Sequence, residues 1–334
     1  MTERRKKVLI SQREHGLPYS KGMTASSLMV TGLGPVQSYA VADKVEQALT
    51  ALGRDVISEE RLNELTLEIL RDEAGDRYAQ AFVKWQSVGD LDLPLIILIG
   101  GTTGVGKSTI ATQLATRLGI TRVISTDAVR EVLRSAFTAE MFPTLYTSSF
   151  EADKAVRQPI PHSADRLIIG FREQAAAVAV GAQSLIDRAV AEGTDLIIEG
   201  AHLVPGFLES VETHDAVVVP LLVVVENEEL HRSHFYWRSL QARQRSSDRY
   251  LNNFKKIRKI QKYMSSSAMM RGVPIIPHVD LDATLSEIID HVITKAFEVV
   301  DRGVGVANEK VLERAAEAIG RPKAEGTPTH ETVS

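Results

Sequence analysis

Cysteine is absent from the chain, which excludes a disulfide framework, a thiolate metal site and a cysteine nucleophile. Aromatic residues make up only 5%, so there is little stacking surface for the bases of a nucleic acid. No apolar run reaches the roughly eighteen residues that cross a bilayer. The basic start TERRKK is followed by no apolar signal core, and the sequence therefore predicts a cytoplasmic chain with no membrane partner. What remains is ordinary globular composition, 44% hydrophobic and 25% charged over 334 residues, a length that predicts two domains.

The net charge of −4 hides an uneven distribution. Between His231 and Arg271 stand eleven Lys or Arg against one acid, Asp248, while the rest of the chain carries 28 basic and 42 acidic residues. One short segment is thus built for anions.

Residues 1–90 carry helical spacing. Val41, Val45, Ala48, Leu49 and Leu52 recur at three and four, and Leu62, Leu65, Ile69 and Leu70 do the same before Gly75. A small, mostly helical domain is expected there. The stretch SVGDLDLP at 87–94 has Gly, Asp and Pro without periodicity and reads as the boundary. From residue 91 to 302 the texture changes to short buried-type strands, at 95–100, 122–126, 195–200, 218–225 and 273–278, alternating with amphipathic helices. This is the pattern of an α/β domain, a doubly wound parallel sheet of five strands covered on both faces. Pro220 cannot donate to a central ladder, so the fourth strand is expected to begin after it. A long helix is expected to end at Gly193 and a closing helix to cover 283–300; residues 303–334 read as a helical extension with a polar, disordered tail.

The stretch Gly101-Thr102-Thr103-Gly104-Val105-Gly106-Lys107-Ser108 satisfies G-x-x-x-x-G-K-[ST], follows the strand LIILIG and opens the helical stretch from Thr109. Glycines let successive backbone N–H groups converge on phosphate oxygens at a helix N-terminus, where the dipole also favours negative charge. Residues 101–109 are therefore the candidate ATP site of a P-loop kinase-type domain. Lys107 is expected to reach the β- and γ-phosphates, and Ser108 to place its hydroxyl on Mg²⁺.

Ligands of doubly wound sheets lie beyond the carboxyl ends of the strands, so residues trailing the second and third strands are the next candidates. Asp127 follows the second, with Arg130 and Arg134 on the same helical face. Either Asp127 caps the helix starting at Ala128, or it orients or deprotonates an acceptor hydroxyl. Glu199 ends the third strand and is read as a water-mediated Mg²⁺ ligand or as a buried structural carboxylate. His202 either touches the acceptor or is a packed histidine. The basic segment is read as a mobile arginine lid, with Arg238 and Arg243 the candidate catalytic pair and Arg245 and Arg249 beside them. A solvated helix face and a nucleic-acid patch are the competing readings.

The segments GGTTGVGKSTIATQLATRLGI, ISTDAVREVLR, PTLYTSSFEA, IIEGAHLVPGF and the run from NEELH to RYLNNFKKIRKIQKYM, in that order, resemble archaeal-type 2-phosphoglycerate kinases over roughly residues 4–300. GLPYSKGMTASSLMVTGLGPVQSYAVADKVEQAL is similar to the ATP-cone-like helical domain that precedes those kinases, in which Arg13 and Lys21 would meet a regulatory nucleotide; a docking domain is the alternative. The resemblance implies transfer of the γ-phosphoryl of ATP, with Mg²⁺, to the 3-hydroxyl of 2-phospho-D-glycerate. A substrate bearing a phosphate and a carboxylate needs several cations around it. Asp127, Arg130, Arg134 and His202 are the implied substrate residues, with Lys154, Arg157 and the lid arginines in support. Two positions depart from the family's pattern: Tyr146 stands where His is frequent, and His234 where Arg is usual. The other functions the sequence allows are a kinase for another phosphorylated hydroxy acid or sugar acid, a non-catalytic nucleotide sensor, and a nucleic-acid-end kinase.

Overall fold

The computed structural model describes residues 8–12, 15–88, 93–208, 215–241 and 247–301. The chain divides into two compact units. One takes residues 1–31, 35–92 and the chain from 293 onward; the other takes 32–34 and 93–292.

The first unit contains β1 (Leu9–Gln12), β2 (His15–Pro18), α1 (Lys21–Met29), α2 (Pro35–Ala51), β3 (Val56–Ser58), α3 (Glu59–Ala74) and α4 (Asp76–Val88). Sequence spacing finds the helices. Ser58 caps α3 by accepting from Arg61 N–H, with Glu59 and Glu60 in the first turn, where the helix dipole favours acids. The spacing does not find the three-stranded sheet, in which β1 pairs antiparallel with β2 and parallel with β3. Strands of three and four residues are too short to show alternation, and His15–Pro18 contains both Gly and Pro. Tyr19, Val45, Leu49, Ile57 and Leu65 form the core of this unit. Lys21 pairs with Asp43 at 2.7 Å and Glu46 at 3.5 Å, and Arg13 lies outside the described residues.

The second unit runs β4 (Leu95–Gly100), α5 (Lys107–Leu118), β5 (Val123–Ser125), α6 (Thr126–Ala136), two 3₁₀ turns (Pro143–Tyr146 and Ser149–Ala155), α7 (Arg166–Ala191), β6 (Leu196–Gly200), β7 (Val217–Val224), α8 (Glu228–Gln241), α9 (Ser247–Asn252), α10 (Phe254–Arg271), β8 (Ile275–Pro277) and the start of α11 (Leu281–Asp301), which is assigned to the first unit from residue 293. Its five strands are all parallel, in the order β5-β6-β4-β7-β8. This is the expected doubly wound α/β sheet, and every side chain of β4 and β6 is buried, as strands covered on both faces require. Ile96, Leu98 and Ile198 pack on Ala182 and Ile186 of α7, while Leu222 and Val224 pack with Phe171, Phe254 and Ile257.

Pro220 lies inside β7, not before it. Val217 N–H bonds toward β4, at Pro94 O, and Leu222 N–H bonds toward β8, at Pro274 O. Residue 220 shares the parity of 222, so its missing N–H would point to the β8 side. There β8 pairs only with residues 222–224. Pro220 thus occupies a stretch of β7 that is an edge on the side where proline lacks a donor, and no ladder bond is lost.

Two features of this sheet position the site. The connection leaving β4 leads toward β5 and the one leaving β6 leads toward β7, in opposite directions, which opens a crevice at their carboxyl ends. The register sets Gly100 beside Gly200, Ile99 beside Glu199, and Glu199 beside Ser125. The P-loop, Glu199 and the start of α6 therefore emerge at one level.

Candidate active site

A cleft of about 440 Å³ lies over these strand ends, and Lys107, Ser108, Asp127 and Glu199 all line it. The P-loop forms its floor. Gly106 caps α5 with φ 88° and contributes no side chain, so the first-turn amides of this helix are left for an anion, whereas Ser125 and Asp165 cap α6 and α7 with their own oxygens. Gly104 also has φ 88°, and a Cβ there would overlap the ring of Phe235. Only glycine fits.

Lys107 is 9% exposed, and its Nζ donates to Thr102 O at 2.8 Å. Ser108 Oγ donates to Glu199 Oε1 at 2.8 Å, and the carboxylate itself is buried. Among the described residues no group of three His, Cys, Asp or Glu could hold a metal unaided. A hydroxyl and a carboxylate side by side nevertheless suit Mg²⁺, a hard ion that shares its oxygen shell with water and phosphate.

Asp127 does not cap its helix. Ser125 does, accepting from Ala128 N–H at 3.2 Å, so α6 begins at Thr126 and Asp127 sits in its first turn with a side chain 75% exposed. Arg130 stands 3.6 Å from Asp127 Oδ1, donates through Nη1 to Thr147 O at 2.9 Å, and keeps a buried Nε without a partner among the described residues. Neither Arg130 nor Arg134, both expected against the acceptor, is among the residues that line the cleft, and Arg134 is turned to other partners. It pairs with Glu131 at 2.7 Å and lies over the Tyr146 ring at 4.7 Å.

His202, expected against the acceptor, lies beneath the cleft with both ring nitrogens engaged. Gln174 uses its amide N–H groups on the carbonyls of Thr144 and Thr147, so its Oε1 is the acceptor for His202 Nε2–H at 3.2 Å. Nδ1 is then bare and accepts from the Thr126 hydroxyl at 2.8 Å. The neutral ring ties the start of α6 to α7. Burial holds its pKa at about 4, with Asp127 pulling the other way and Arg130 and Lys107 reinforcing the depression. His231, also buried, is lowered to about 4 for the same leading reason.

Both values lie below the ordinary 6.5 of the unfolded chain. Between those limits the unfolded state binds protons that the folded state refuses, so stability present above about pH 6.5 is withdrawn as pH falls toward 4. Thermal melts across that range should show a falling midpoint, each histidine contributing about 1.4 kcal/mol per pH unit. His202→Gln should remove its share of the slope. A midpoint flat from pH 6.5 to 5 would contradict the assignment.

The basic strip is not a uniform anion surface. Arg249 bonds to Ser148 Oγ at 2.7 Å and to Glu151, Lys256 to Asp153 at 2.8 Å, Lys259 to Asp165, and Arg258 to the carbonyls of Val225 and Glu226. Those charges fasten α9 and α10 to the second 3₁₀ turn, to the cap of α7 and to the end of β7. Lys154 pairs with Glu151 at 2.6 Å, and Arg157 holds the carbonyls of Ala139 and Glu140. Arg243, Arg245 and the side chain of Arg238 lie outside the described residues.

Sequence reasoning gave no site role to Ser149, Trp237 or His278, and marked His234 only as a departure from the family's pattern, yet all four line the cleft. His278 directly follows β8, and the strand-end rule that found Asp127 and Glu199 would have found it too. The other three come from helices and turns whose placement no local signal announces.

No protein-family profile matches the chain. Among solved structures, a shikimate kinase from Acinetobacter baumannii aligns with 62% of this chain and 97% of its own at 18% identity and a TM-score of 0.35. Full-length relatives are far closer. A protein of Pyrococcus furiosus is 39% identical over 286 residues, covering 86% of this chain and 93% of its own, and one of Methanothermobacter thermautotrophicus is 37% identical over 281 residues, covering 84% and 92%. One of Methanocaldococcus jannaschii is 35% identical over 306 residues, covering 92% and 97%. All three bear the name 2-phosphoglycerate kinase. With such identity sustained across both units, the chain belongs to the 2-phosphoglycerate kinase family.

Proposed function

We propose that this chain transfers the γ-phosphoryl group of ATP to the 3-hydroxyl of 2-phospho-D-glycerate, giving 2,3-bisphosphoglycerate and ADP. The observation that carries the proposal is the sharing of one cleft by Lys107, Ser108, Glu199 and Asp127 in a member of this family. The P-loop amides and Lys107 hold the triphosphate. Asp127 accepts the proton of the 3-hydroxyl as its oxygen bonds to the γ-phosphorus, and the bond from that phosphorus to the β-bridging oxygen breaks. Lys107 neutralises charge on the departing ADP. Arg130, 3.6 Å from Asp127 at the edge of the lining, is the nearest described cation to Asp127 for the acceptor's phosphate or carboxylate. Mg²⁺, when bound, draws off phosphate charge; Ser108 and Glu199 are the residues that would hold it.

ADP release measured with 2-phosphoglycerate, 3-phosphoglycerate and glycerate side by side tests the acceptor. Turnover should appear with the first and be small with the others. Preference for another phosphorylated acid would move the assignment to that acid, and no turnover with any would remove it.

Glu199→Gln tests the metal arrangement. The amide keeps the size and the bond from Ser108 but loses the charge, so the Mg²⁺ concentration for half-maximal rate should rise about 10–100-fold. A Mg²⁺ titration of the rate reads this directly, and an unchanged curve would make Glu199 a structural carboxylate.

A further inference from the structure

Three histidines that the phosphoryl-transfer scheme does not use point at the P-loop. His231 Nε2 lies 2.9 Å from Thr103 O, His234 Nδ1 lies 2.8 Å from Gly104 O, and His278 Nδ1 lies 2.8 Å from Val105 O. These are three consecutive carbonyls. A carbonyl oxygen only accepts, so each facing nitrogen carries the hydrogen: His231 is the Nε2–H form, and His234 and His278 donate from Nδ1. His231 and His234 come from one face of α8, three residues apart, whereas His278 arrives from the end of β8.

The planar trans peptide turns these contacts into a statement about the phosphate cradle. In each unit the C=O of one residue and the N–H of the next are antiparallel. Holding the oxygens of residues 103, 104 and 105 toward the histidines therefore sends the N–H groups of Gly104, Val105 and Gly106 the opposite way. Glycines permit the loop conformation but also permit others. An outside constraint is needed to choose among them.

The rings are themselves held. His231 is fully buried, stacks on Phe235 with centroids 5.4 Å apart, and meets Phe254 edge-on. His234 and His278 lie 5.5 Å apart, and the space where Gly106 would carry a Cβ ends 2.5 Å from His278 Cε1. His234 and His278 also border the cleft.

We infer that His231, His234 and His278 are positioning residues that clamp three successive P-loop carbonyls and so pre-aim three amides at the nucleotide's phosphates. The inference deepens the proposed function, since it rests on the cleft being a nucleoside-triphosphate site, but it makes no use of the acceptor. It concerns binding as much as rate, because preorganised donors spare the loop a reorganisation on each encounter.

Side-chain amides give the discriminating experiment. Asn places an N–H where His has Nδ1, and Gln places one where His has Nε2. Calorimetric titration with ADP in Mg²⁺ should show His234→Ala and His278→Ala each binding roughly tenfold more weakly, the scale of one misdirected hydrogen bond. His234→Asn and His278→Asn should recover most of that loss, and His278→Gln should not. For the buried ring, His231→Gln should bind more tightly than His231→Asn. Competition by inorganic pyrophosphate separates the clamp from contact with the base: the alanine variants should lose pyrophosphate and ADP affinity by similar factors.

Alanine variants that bind ADP as the unaltered chain does would overturn the clamp. So would undiminished pyrophosphate affinity, which would make these histidines contacts for the nucleoside. If the unaltered protein binds ADP but does not phosphorylate 2-phosphoglycerate, the acceptor assignment fails and the clamp still stands or falls on the titrations.

Discussion

Lys107→Ala is expected to lower kcat/KM by about 10³-fold while leaving the fold standing, the scale seen when a charge on a transferring phosphoryl group is removed. The two halves of the expectation have separate physical grounds. Lys107 is only 9% exposed, and its Nζ donates to the carbonyl of Thr102. Lys107 is also the first residue of α5, where alanine is well tolerated. The thermal midpoint without nucleotide should therefore stay close to that of the unaltered chain. The upward shift on adding ATP should shrink. A variant that is inactive because it is unfolded would show neither pattern, and a variant with undiminished ADP release would remove Lys107 from the mechanism.

The second large effect is expected at Asp127. Asp127→Asn keeps the size and the hydrogen-bonding oxygen but not the proton acceptor, and should reduce kcat by about 10²–10⁴-fold with little change in the KM for ATP. Stability is not at stake for two reasons visible in the structure: the side chain is 75% exposed, and the helix is capped by Ser125. Had Asp127 been the cap, its substitution would cost about 1 kcal/mol and blur the kinetics. Steady-state rates with 2-phosphoglycerate varied at saturating ATP, beside a melting curve, separate the alternatives. A stable Asp127→Asn with ordinary kcat would leave the acceptor hydroxyl without its base and turn attention to other groups at the cleft.

The pairing of Asp127 with Arg130 shows where the sequence was informative and where it stopped. Their spacing on one helical face is a local fact, and the 3.6 Å separation agrees with it. Arg134 obeys the same spacing, yet it pairs with Glu131 and lies over the Tyr146 ring, equally local or brought by a turn, instead of joining Asp127. Spacing lists the candidates on a face. Competition among neighbours for each guanidinium selects between them, and that depends on packing. His202 makes the same point: a histidine soon after a strand end can face ligand or core, and the choice fell to Gln174, twenty-eight residues earlier in the chain. Pro220 was placed outside its strand by a sound rule about central ladders, and only the short reach of β8 created the gap that accommodates it.

What the sequence by itself determined is the chemistry that needs contiguous residues and the architecture that needs repeated ones. A phosphate cradle is built from successive amides, so eight adjacent residues declare it; a buried parallel sheet needs apolar runs, so five such runs declare that. What only the tertiary structure decided is how partners distant in the chain share atoms. The Ser108–Glu199 bond spans 91 positions and the three histidine contacts span 128, 130 and 173. No periodicity encodes such meetings. They follow from strand order and register, which bring the carboxyl ends of β4, β5, β6 and β8 to one edge and leave hydrogen-bond geometry to choose among the side chains that arrive there.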